Sequence, residues 1–325
     1  MDFFQEQRNN NRTTIILIVL FFAVVLSIGY YIDHFYLGID VLNGGFPFAT
    51  VVAFMTAGFL AWVSYYNGDY FVLTSVNAVL VDPTDTIAFP KGRLLLDVVK
   101  EMSVASGNPM PSVYLIPSDQ PNAFATGRDQ MHSSIAVTEG LLDKMNREEL
   151  QAVIGHEMGH IKSRDIKTMM VVAVLLGTIV LMSDWLWRIS FYGPRRRKDE
   201  GISGPAFLII IAISLAVIAP IIGQIMAMAV SREREYAADA SSVEFTRNSM
   251  ALASALEKIR MDFTPMRNAN RGTAHMFISD PLARGIDNKE GFLADLLSTH
   301  PPIDKRIAKL RVMSHQTIVQ GFNKR

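Results

Sequence analysis

The residues best suited to chemistry lie in one short run, Val153–His160, which reads VIGHEMGH and fits the pattern H-E-x-x-H. His156 and His160 are four residues apart, so on a helix both imidazoles project from one face. Two neutral imidazoles can bind one tetrahedral zinc ion at about 2.0–2.1 Å. Glu157 adjoins the first histidine and can take a proton from a metal-activated water. The pattern predicts a hydrolytic zinc site, although a chance pair of helical histidines would look the same.

A catalytic zinc site needs a third protein ligand and an open fourth position. The chain contains no cysteine, so that ligand must be a histidine or a carboxylate. The run SREREYAADA, residues 231–240, places Glu235 and Asp239 four apart, on one face of a helix. We predict that Glu235 is the third ligand and that Asp239 accepts a hydrogen bond from the second ring nitrogen of a liganding histidine. The alternative for this run is a solvated helix end, and spacing alone does not decide between the two.

The H-E-x-x-H run is predicted to lie on a helix whose start is marked in the sequence. Asn146 can cap this helix, and Glu149 stands three residues later, at the capping-box position. Gly159 leaves room for a neighbouring element to approach the helix closely. A second, amphipathic helix is predicted over Lys91–Ser106. Two short β-rich runs, PSVYLIP and SSIAVTEG, predict strands of a small sheet.

Four apolar stretches surround these elements. Each has about the 20 apolar residues that a helix needs to cross about 30 Å of hydrocarbon. In addition, 50% of the 325 residues are hydrophobic and the mean hydropathy is +0.22, which favours a membrane protein. The stretches are Thr13–Ile32, Phe46–Tyr66, Thr168–Ile189 and Pro205–Val230. They predict a mainly α membrane protein with about four transmembrane helices.

The charges around the first two stretches predict an orientation. The N-terminal tail carries Arg8 and Arg12, whereas the loop 33–45 has no Lys or Arg. By the positive-inside rule the tail and the catalytic part face the cytoplasm. If both of the last two stretches span, the basic loop Arg195–Glu200 lies outside, against the rule. We favour a spanning hairpin; the alternative is one that enters the membrane only partly or packs against protein. Pro220 predicts a kink in the fourth stretch.

The stretches divide the chain into four predicted parts. Residues 1–66 form the tail and first hairpin, and residues 67–167 form the first part of the catalytic domain with the H-E-x-x-H helix. Residues 168–230 form the second hairpin, and residues 231–325 complete the catalytic domain with the third ligand. Lys+Arg and Asp+Glu both number 31, and this balance gives no indication of a nucleic-acid partner.

Taken together, the motifs resemble the HtpX-like membrane zinc peptidases, relatives of the CAAX prenyl endopeptidases. The matching runs keep the family's order, with two apolar stretches before the H-E-x-x-H run and two after it. They are NAFATG (122–127), AVTEGLL (136–142), HEMGH, SREREYAADA and THPPIDKRI (299–307). The resemblance covers nearly the whole chain and implies an α+β, zincin-like catalytic domain containing a small sheet. It also implies a gluzincin-type endopeptidase with one Zn²⁺ per chain, in a bacterial-type inner cell membrane that the chain crosses several times.

The resemblance implies further site residues. His300 would stabilise the tetrahedral intermediate, or else be a structural histidine that fixes the turn before two prolines. Arg306 would brace that turn or the ligand glutamate. Asn122, Ala123 and Arg306 would line the substrate cleft, although a purely structural turn is the alternative for the first two. One departure from the family is Ala237, where many members have histidine, and it removes no proposed ligand.

The expected partners are the lipid bilayer and polypeptide substrates, above all membrane proteins. A substrate is expected to pair in extended form with an edge strand, SSIAV. The resemblance implies a role in the quality control of damaged or misfolded membrane proteins. One alternative is a prenyl-protein endopeptidase, which would need an enclosed apolar chamber for which four spans are few. Another is a non-enzymatic membrane scaffold or chaperone with a zinc site, against which the intact Glu157 argues.

Overall fold

The fold combines a membrane hairpin, a small mixed sheet and a group of packed helices. Several sequence features, including His300, Pro220, the basic loop, the whole fourth apolar stretch and most of the third, lie outside the described residues. The computed structural model describes residues 3–85, 87, 89–175, 232–262, 264–266, 273–279, 281 and 301–322.

Two long helices open the chain, α1 (Phe3–Tyr31) and α2 (Phe48–Ser75). Both are long and apolar enough to cross a membrane, over Gln7–His34 and Phe48–Ser75. Each extends beyond its predicted apolar stretch, because α1 already begins at Phe3 and α2 continues to Ser75. With 28 residues, α2 is about 42 Å long, which exceeds the roughly 30 Å hydrocarbon layer, so one end can dock on the catalytic part.

The connection between the two helices is fixed by a buried carboxylate. A π-helical turn, Ile32–Tyr36, follows α1 and contains Asp33. The Asp33 carboxylate accepts hydrogen bonds from the backbone N–H groups of Ala49 and Thr50, both at 2.8 Å, and from the Thr50 hydroxyl at 2.7 Å. These donors lie in the first turn of α2, where backbone N–H groups lack helical partners. Asp33 therefore joins the end of α1 to the start of α2.

The sheet has four strands: β1 (Val79–Leu80), β2 (Ser112–Ile116), β3 (Ala123–Gly127) and β4 (Ser133–Thr138). Their order is β1-β2-β4-β3, with β2 parallel to β4 and both outer pairs antiparallel. The two predicted strands are confirmed as β2 and β4. The prediction that SSIAV forms an edge is wrong, because β4 lies between β2 and β3. The β-rich pattern indicates a strand but not its neighbours, and all six residues of β4 are buried.

Helices cover the sheet. The predicted amphipathic helix is confirmed as α3 (Gly92–Ser106), which buries Leu95, Val98, Val99 and Met102. Together with the helix Arg147–Ser163 (α5) it packs on the face that carries Val113 and Ile135. The opposite face, which carries Phe124 and Ala136, contacts the end of α2 and a 3-10 turn, Ala274–Met276. Further helices of the described residues are α4 (Glu139–Lys144), α5 (Arg147–Ser163), α6 (Arg232–Thr246), α7 (Ser249–Arg260) and α8 (Ile303–Phe322).

Helix α5 carries the H-E-x-x-H run, and its predicted capping box is confirmed. The Asn146 side chain accepts the Glu149 N–H at 2.9 Å, and the Glu149 carboxylate accepts the Asn146 N–H at 2.8 Å. This reciprocal pair satisfies two backbone donors at the start of the helix. The helix ends at Ser163, followed by Arg164 in the left-handed conformation, and residues 165–175 are helical again. The chain is thus mainly helical, with a small mixed sheet.

Candidate metal centre

The centre is built where α5 and α6 cross at close range. A β-carbon on Gly159 would lie 3.0 Å from the Ser241 β-carbon and 3.2 Å from the Ala238 α-carbon. The room that Gly159 was predicted to leave is therefore filled by α6. Two turns earlier on α5, the Ala152 carbonyl accepts the Ser242 hydroxyl of α6 at 2.6 Å. Small residues on both helices let the backbones approach, and this brings α6 side chains within reach of the histidines.

Three buried donor groups converge at this crossing. The Nε2 atoms of His156 and His160 are 3.1 Å apart. The Glu235 carboxylate lies 3.7 Å from the first of these nitrogens and 3.6 Å from the second, through different oxygens. Each residue offers one atom within 4.8 Å of the others. In a tetrahedral zinc site with bonds of about 2.0–2.1 Å, ligand atoms lie about 3.3 Å apart, so the donor set fits zinc.

Carboxylates fix the opposite nitrogens of both rings. His156 Nδ1 lies 3.0 Å from an Asp239 oxygen, and His160 Nδ1 lies 2.8 Å from an Asp165 oxygen. An Nδ1 that donates to a carboxylate leaves the Nε2 lone pair of a neutral ring for another partner. Two such lone pairs facing each other at 3.1 Å require a proton or a cation between them. The two imidazoles can therefore keep these positions only if a proton or a metal cation lies between their Nε2 atoms.

Asp165 was missed by the sequence reasoning. It is buried, with 1% of its surface exposed, and it follows directly after Arg164, whose φ of +60° turns the chain at the end of α5. This turn brings the Asp165 carboxylate back to His160. The available signal was an acidic residue five positions after the second histidine, just beyond the helix. Asp239 was predicted to contact a histidine, and the structure places it against His156.

Arg306, from the start of α8, lies behind the carboxylates. It donates to both oxygens of Asp239, at 2.6 Å from Nη2 and 2.9 Å from Nε. Its Nη1 is 3.1 Å from a Glu235 oxygen and also donates to the Ile278 carbonyl at 3.4 Å. With 1% of its surface exposed, Arg306 lies against Glu235 and Asp239 and not in the open cleft that was predicted. Of its two predicted contacts, the structure shows the one with Glu235, the predicted third ligand.

The pKa shifts of the two histidines have opposite signs. Burial, reinforced by the charge of Arg306, outweighs the hydrogen bond to Asp239 and lowers the pKa of His156. Burial would lower the pKa of His160 as well, but the charge and hydrogen bond of Asp165, together with Glu235, raise it to about 10. His160 is thus protonated at neutral pH unless a metal ion displaces the proton. A proton and a metal ion compete for the same nitrogen.

Glu157 stands beside this site on α5. Burial, with the nearby charge of Glu235, raises the pKa of its carboxyl to about 7, although His160 acts in the opposite direction. Among the described residues its carboxylate makes no hydrogen bond, unlike those of Asp165 and Asp239. A carboxyl group with a pKa near neutrality and no fixed partner can both accept and release a proton.

The predicted cleft residues lie at the start of β3, an edge strand. Asn122 and Ala123 are fully buried. The Asn122 side chain donates to the Ser279 carbonyl at 2.9 Å, and the Ala123 carbonyl accepts the Ile278 N–H at 3.0 Å. Both residues therefore contact a second segment of the chain in this structure. His300 lies outside the described residues, so its predicted role stays a prediction.

Comparisons with known proteins place the chain in a family. A family model described as Peptidase family M48 matches residues 91–314. A "Protease HtpX homolog" of Caldanaerobacter subterraneus subsp. tengcongensis is 46% identical over 255 residues, covering 78% of this chain and 81% of the relative. Another, of Thermoanaerobacter pseudethanolicus, is 40% identical over 293 residues, covering 90% and 91%.

Among solved structures, the crystal structure of S. mikatae Ste24p has a TM-score of 0.49 and 16% sequence identity, covering 89% of this chain and 62% of that chain. The family assignment rests on the family model and on the two protease relatives. Together with the two membrane-length helices, they show that the chain belongs to peptidase family M48, as an HtpX-type membrane zinc metalloprotease.

Proposed function

We propose that His156, His160 and Glu235 bind one zinc ion per chain and that Glu157 is the general base of a gluzincin-type endopeptidase. One observation carries the proposal. Three buried donors converge on one point, while separate carboxylates hold the far nitrogens of both imidazoles. A structural zinc site would be closed by a fourth protein ligand, and no fourth ligand completes this group within the described residues.

The reaction follows from the positions of the side chains. When bound, zinc would acidify a water molecule and polarise the scissile carbonyl. The Glu157 carboxylate accepts a proton from the attacking water as the new C–O bond forms. It then delivers that proton to the amide nitrogen as the C–N bond breaks. His300, by the family resemblance, is the proposed hydrogen-bond donor to the developing oxyanion.

The surrounding charges keep the site in a reactive arrangement. Asp165 and Asp239 hold the two imidazoles with Nε2 toward the metal position. Arg306 holds the carboxylates of Asp239 and Glu235 from behind. A side chain fixed by several hydrogen bonds does not need to reorganise when the metal or the substrate binds.

The outer edge of β3 supports an extended polypeptide as substrate. The Asn122 carbonyl faces β4, because it accepts the Thr138 N–H at 3.0 Å. Backbone groups alternate along a strand, so those of Ala123 and Ala125 face outward. The Ala123 carbonyl already accepts a backbone N–H there, from Ile278. In this structure residues 278–279 occupy the start of that edge, and all five residues of β3 are buried. We infer that a substrate strand pairs along this edge by displacing that segment, with Asn122 at its start.

The contact between α1 and the catalytic part supports the proposed topology. The Gln7 and Asn10 side chains donate to carbonyls at the end of α5, so the N-terminus and the metal centre lie on one side of the membrane. Arg8 and Arg12 make that side the cytoplasm by the positive-inside rule. We propose a multi-pass protein of the inner cell membrane, with the four-part division predicted from the sequence. Its proposed substrates are damaged or misfolded membrane proteins.

Zinc content and casein cleavage, measured together in detergent, test this function. Wild type is expected to bind about one zinc ion and to cleave casein. Glu157→Gln should keep the metal and lose cleavage, because the amide cannot accept the proton. Glu235→Ala should lose both. If Glu235→Ala binds zinc as tightly as wild type and cleaves, the proposed third ligand is wrong; if wild type binds zinc but cleaves nothing, the enzymatic role is wrong.

A further inference from the structure

The carboxyl end of α5 is held by a distant part of the chain. The last carbonyls of a helix lack intrahelical partners and must find others. Here the Lys162 carbonyl accepts the Gln7 side chain at 2.9 Å, and the Ser163 carbonyl accepts the Asn10 side chain at 3.1 Å. Both donors belong to α1. Because His160 lies in this last turn, α1 supports the part of α5 from which the second histidine projects.

Asn10 also reaches the second metal-binding helix. Its side-chain oxygen accepts a hydrogen bond from Arg234 Nη1 at 2.9 Å, and Arg234 directly precedes Glu235 in α6. A carbonyl oxygen such as that of Ser163 can only accept, and a guanidinium can only donate. The two partners therefore need one donor and one acceptor, and the Asn10 amide supplies both. With 4% of its surface exposed, Asn10 forms these bonds out of contact with solvent.

The same turn of α1 is fixed to the segment that follows α5. The Asn10 carbonyl accepts the hydroxyls of Thr14, at 2.9 Å, and Thr168, at 3.2 Å. The two hydroxyls are 2.8 Å apart. Asp165, which orients His160, lies in this segment. The backbone of Asn10 is thus fixed relative to the segment that carries Asp165. Its side chain therefore holds the end of α5 and the start of α6 at defined positions.

We propose that Asn10 is a positioning residue for the metal centre, bridging the end of α5 and the start of α6 from the membrane helix α1. The proposal rests on the proposed function, because it assigns Asn10 a role in that same site. His160 and Glu235 stand on different helices, and their separation sets the geometry offered to the metal. The groups of such a site must be held within about 0.5 Å of their working positions, and supporting residues provide that constraint.

A simple capping role for Asn10 makes a different prediction. A lost cap lowers the stability of the fold, whereas a lost bridge changes the distance between two ligands. Gln7 provides an internal comparison, because the Lys162 carbonyl has a second donor, Gln130, at 3.2 Å. Among the described residues the Ser163 carbonyl has Asn10 as its side-chain donor and no other. Gln7→Ala should therefore disturb the centre less than Asn10→Ala.

The test measures the zinc dissociation constant by chelator competition, together with kcat and KM for casein, on the full-length protein in detergent. Asn10→Ala is expected to weaken zinc binding about 10- to 100-fold, the range seen when residues behind metal ligands are removed. It should lower kcat while KM stays within about twofold, because the proposed substrate-pairing strand, β3, is unchanged. Asn9→Ala is the matched control: the same substitution, one position away, at an exposed side chain.

Asn10→Asp and a double variant sharpen the test. Asn10→Asp keeps the size and the acceptor for Arg234 but removes the donor to Ser163, so it should also weaken zinc binding. If Asn10→Ala does not fold, this isosteric variant decides by the same criteria. The double variant Arg234→Met/Asn10→Ala should lose less zinc affinity than the sum of the losses in the two single variants. The reason is that both substitutions break the same bridge between the helices.

Two outcomes are kept apart by measuring binding and cleavage separately. If the Asn10 variants keep zinc affinity and kcat within about twofold of wild type, the positioning role is wrong, even where the unfolding temperature falls. If wild type binds zinc but cleaves nothing, the proposed peptidase function fails, yet the zinc affinities of the variants still decide the role of Asn10.

Discussion

The membrane hairpin (α1 and α2) and the catalytic half (the sheet with helices α3 to α8) each bury acidic side chains, but they neutralise these charges differently. In the hairpin, Asp33 receives three hydrogen bonds from Ala49 and Thr50, and these engage both of its oxygens. In the catalytic half, Glu235 and Asp239 share one guanidinium, Arg306. Asp33 also lies at the N-terminus of a helix, where the helix dipole favours negative charge. The hairpin site therefore needs no further ligand.

The catalytic half has more negative than positive groups in its interior. Four buried carboxyl groups, those of Glu157, Asp165, Glu235 and Asp239, surround the two histidines. Within the described residues Arg306 is the single buried Lys or Arg side chain. Buried charges without enough counter-charge are strongly unfavourable, and a divalent cation would supply the missing positive charge. Buried carboxylates that converge without enough positive charge nearby therefore indicate a metal site more strongly than burial alone does.

Replacing Arg306 should have the largest effect. Arg306→Met leaves the Glu235 and Asp239 carboxylates without their buried partner, which should cost about 3–5 kcal/mol in the free energy of unfolding. Saturating zinc should recover part of the loss, because the ion compensates the same charges. Unfolding by denaturant in detergent, with and without zinc, measures both quantities.

Arg311→Met, on the same helix, is the control for that substitution. Arg311 pairs with Glu257 at an exposed position, and such pairs contribute about 0–1 kcal/mol. An Arg306→Met variant no less stable than Arg311→Met would show that the core charges do not depend on this guanidinium.

The pH dependence of zinc binding should come next in size. Because the pKa of His160 is raised to about 10, its ring is protonated at neutral pH, and zinc must displace that proton. Affinity should therefore rise about tenfold per pH unit between pH 6.5 and 8.5, and binding should release about one proton. Calorimetry in two buffers of different ionisation enthalpy measures the release. Affinity that levels off above pH 7 would contradict the raised pKa.

The smallest effect on the centre is expected from the hairpin. Asp33→Ala removes the acceptor for three donors at the start of α2, so it should lower the unfolding temperature. Zinc affinity should stay within about twofold of wild type, because no charge is missing at that site. Asp40→Ala, an exposed position in the same connection, should lower the unfolding temperature less. A loss of zinc affinity in Asp33→Ala would mean that the two regions are coupled.

Much of the local structure could be predicted from the sequence. The capping box of Asn146 and Glu149, the helix α3 and the strands β2 and β4 are all present as predicted. These features depend on residues a few positions apart, whose backbone hydrogen bonds and apolar periodicity are read directly from the chain. The edge strand was assigned wrongly because strand order depends on partners that a single run does not identify.

Within the site, spacing placed His156 and His160 on one face of a helix, and the carboxylates Glu235 and Asp239 on one face of another. The chain's own spacing determined that much, because i and i+4 residues share a face on any helix. The tertiary structure alone decided that Arg306 lies behind both carboxylates, that Asp165 turns back to His160 and that Asn10 joins the two helices. Contacts such as those of Arg306 and Asn10 join residues far apart in the chain. The local sequence does not distinguish the actual partners from many other polar residues, so only the packed structure identifies them.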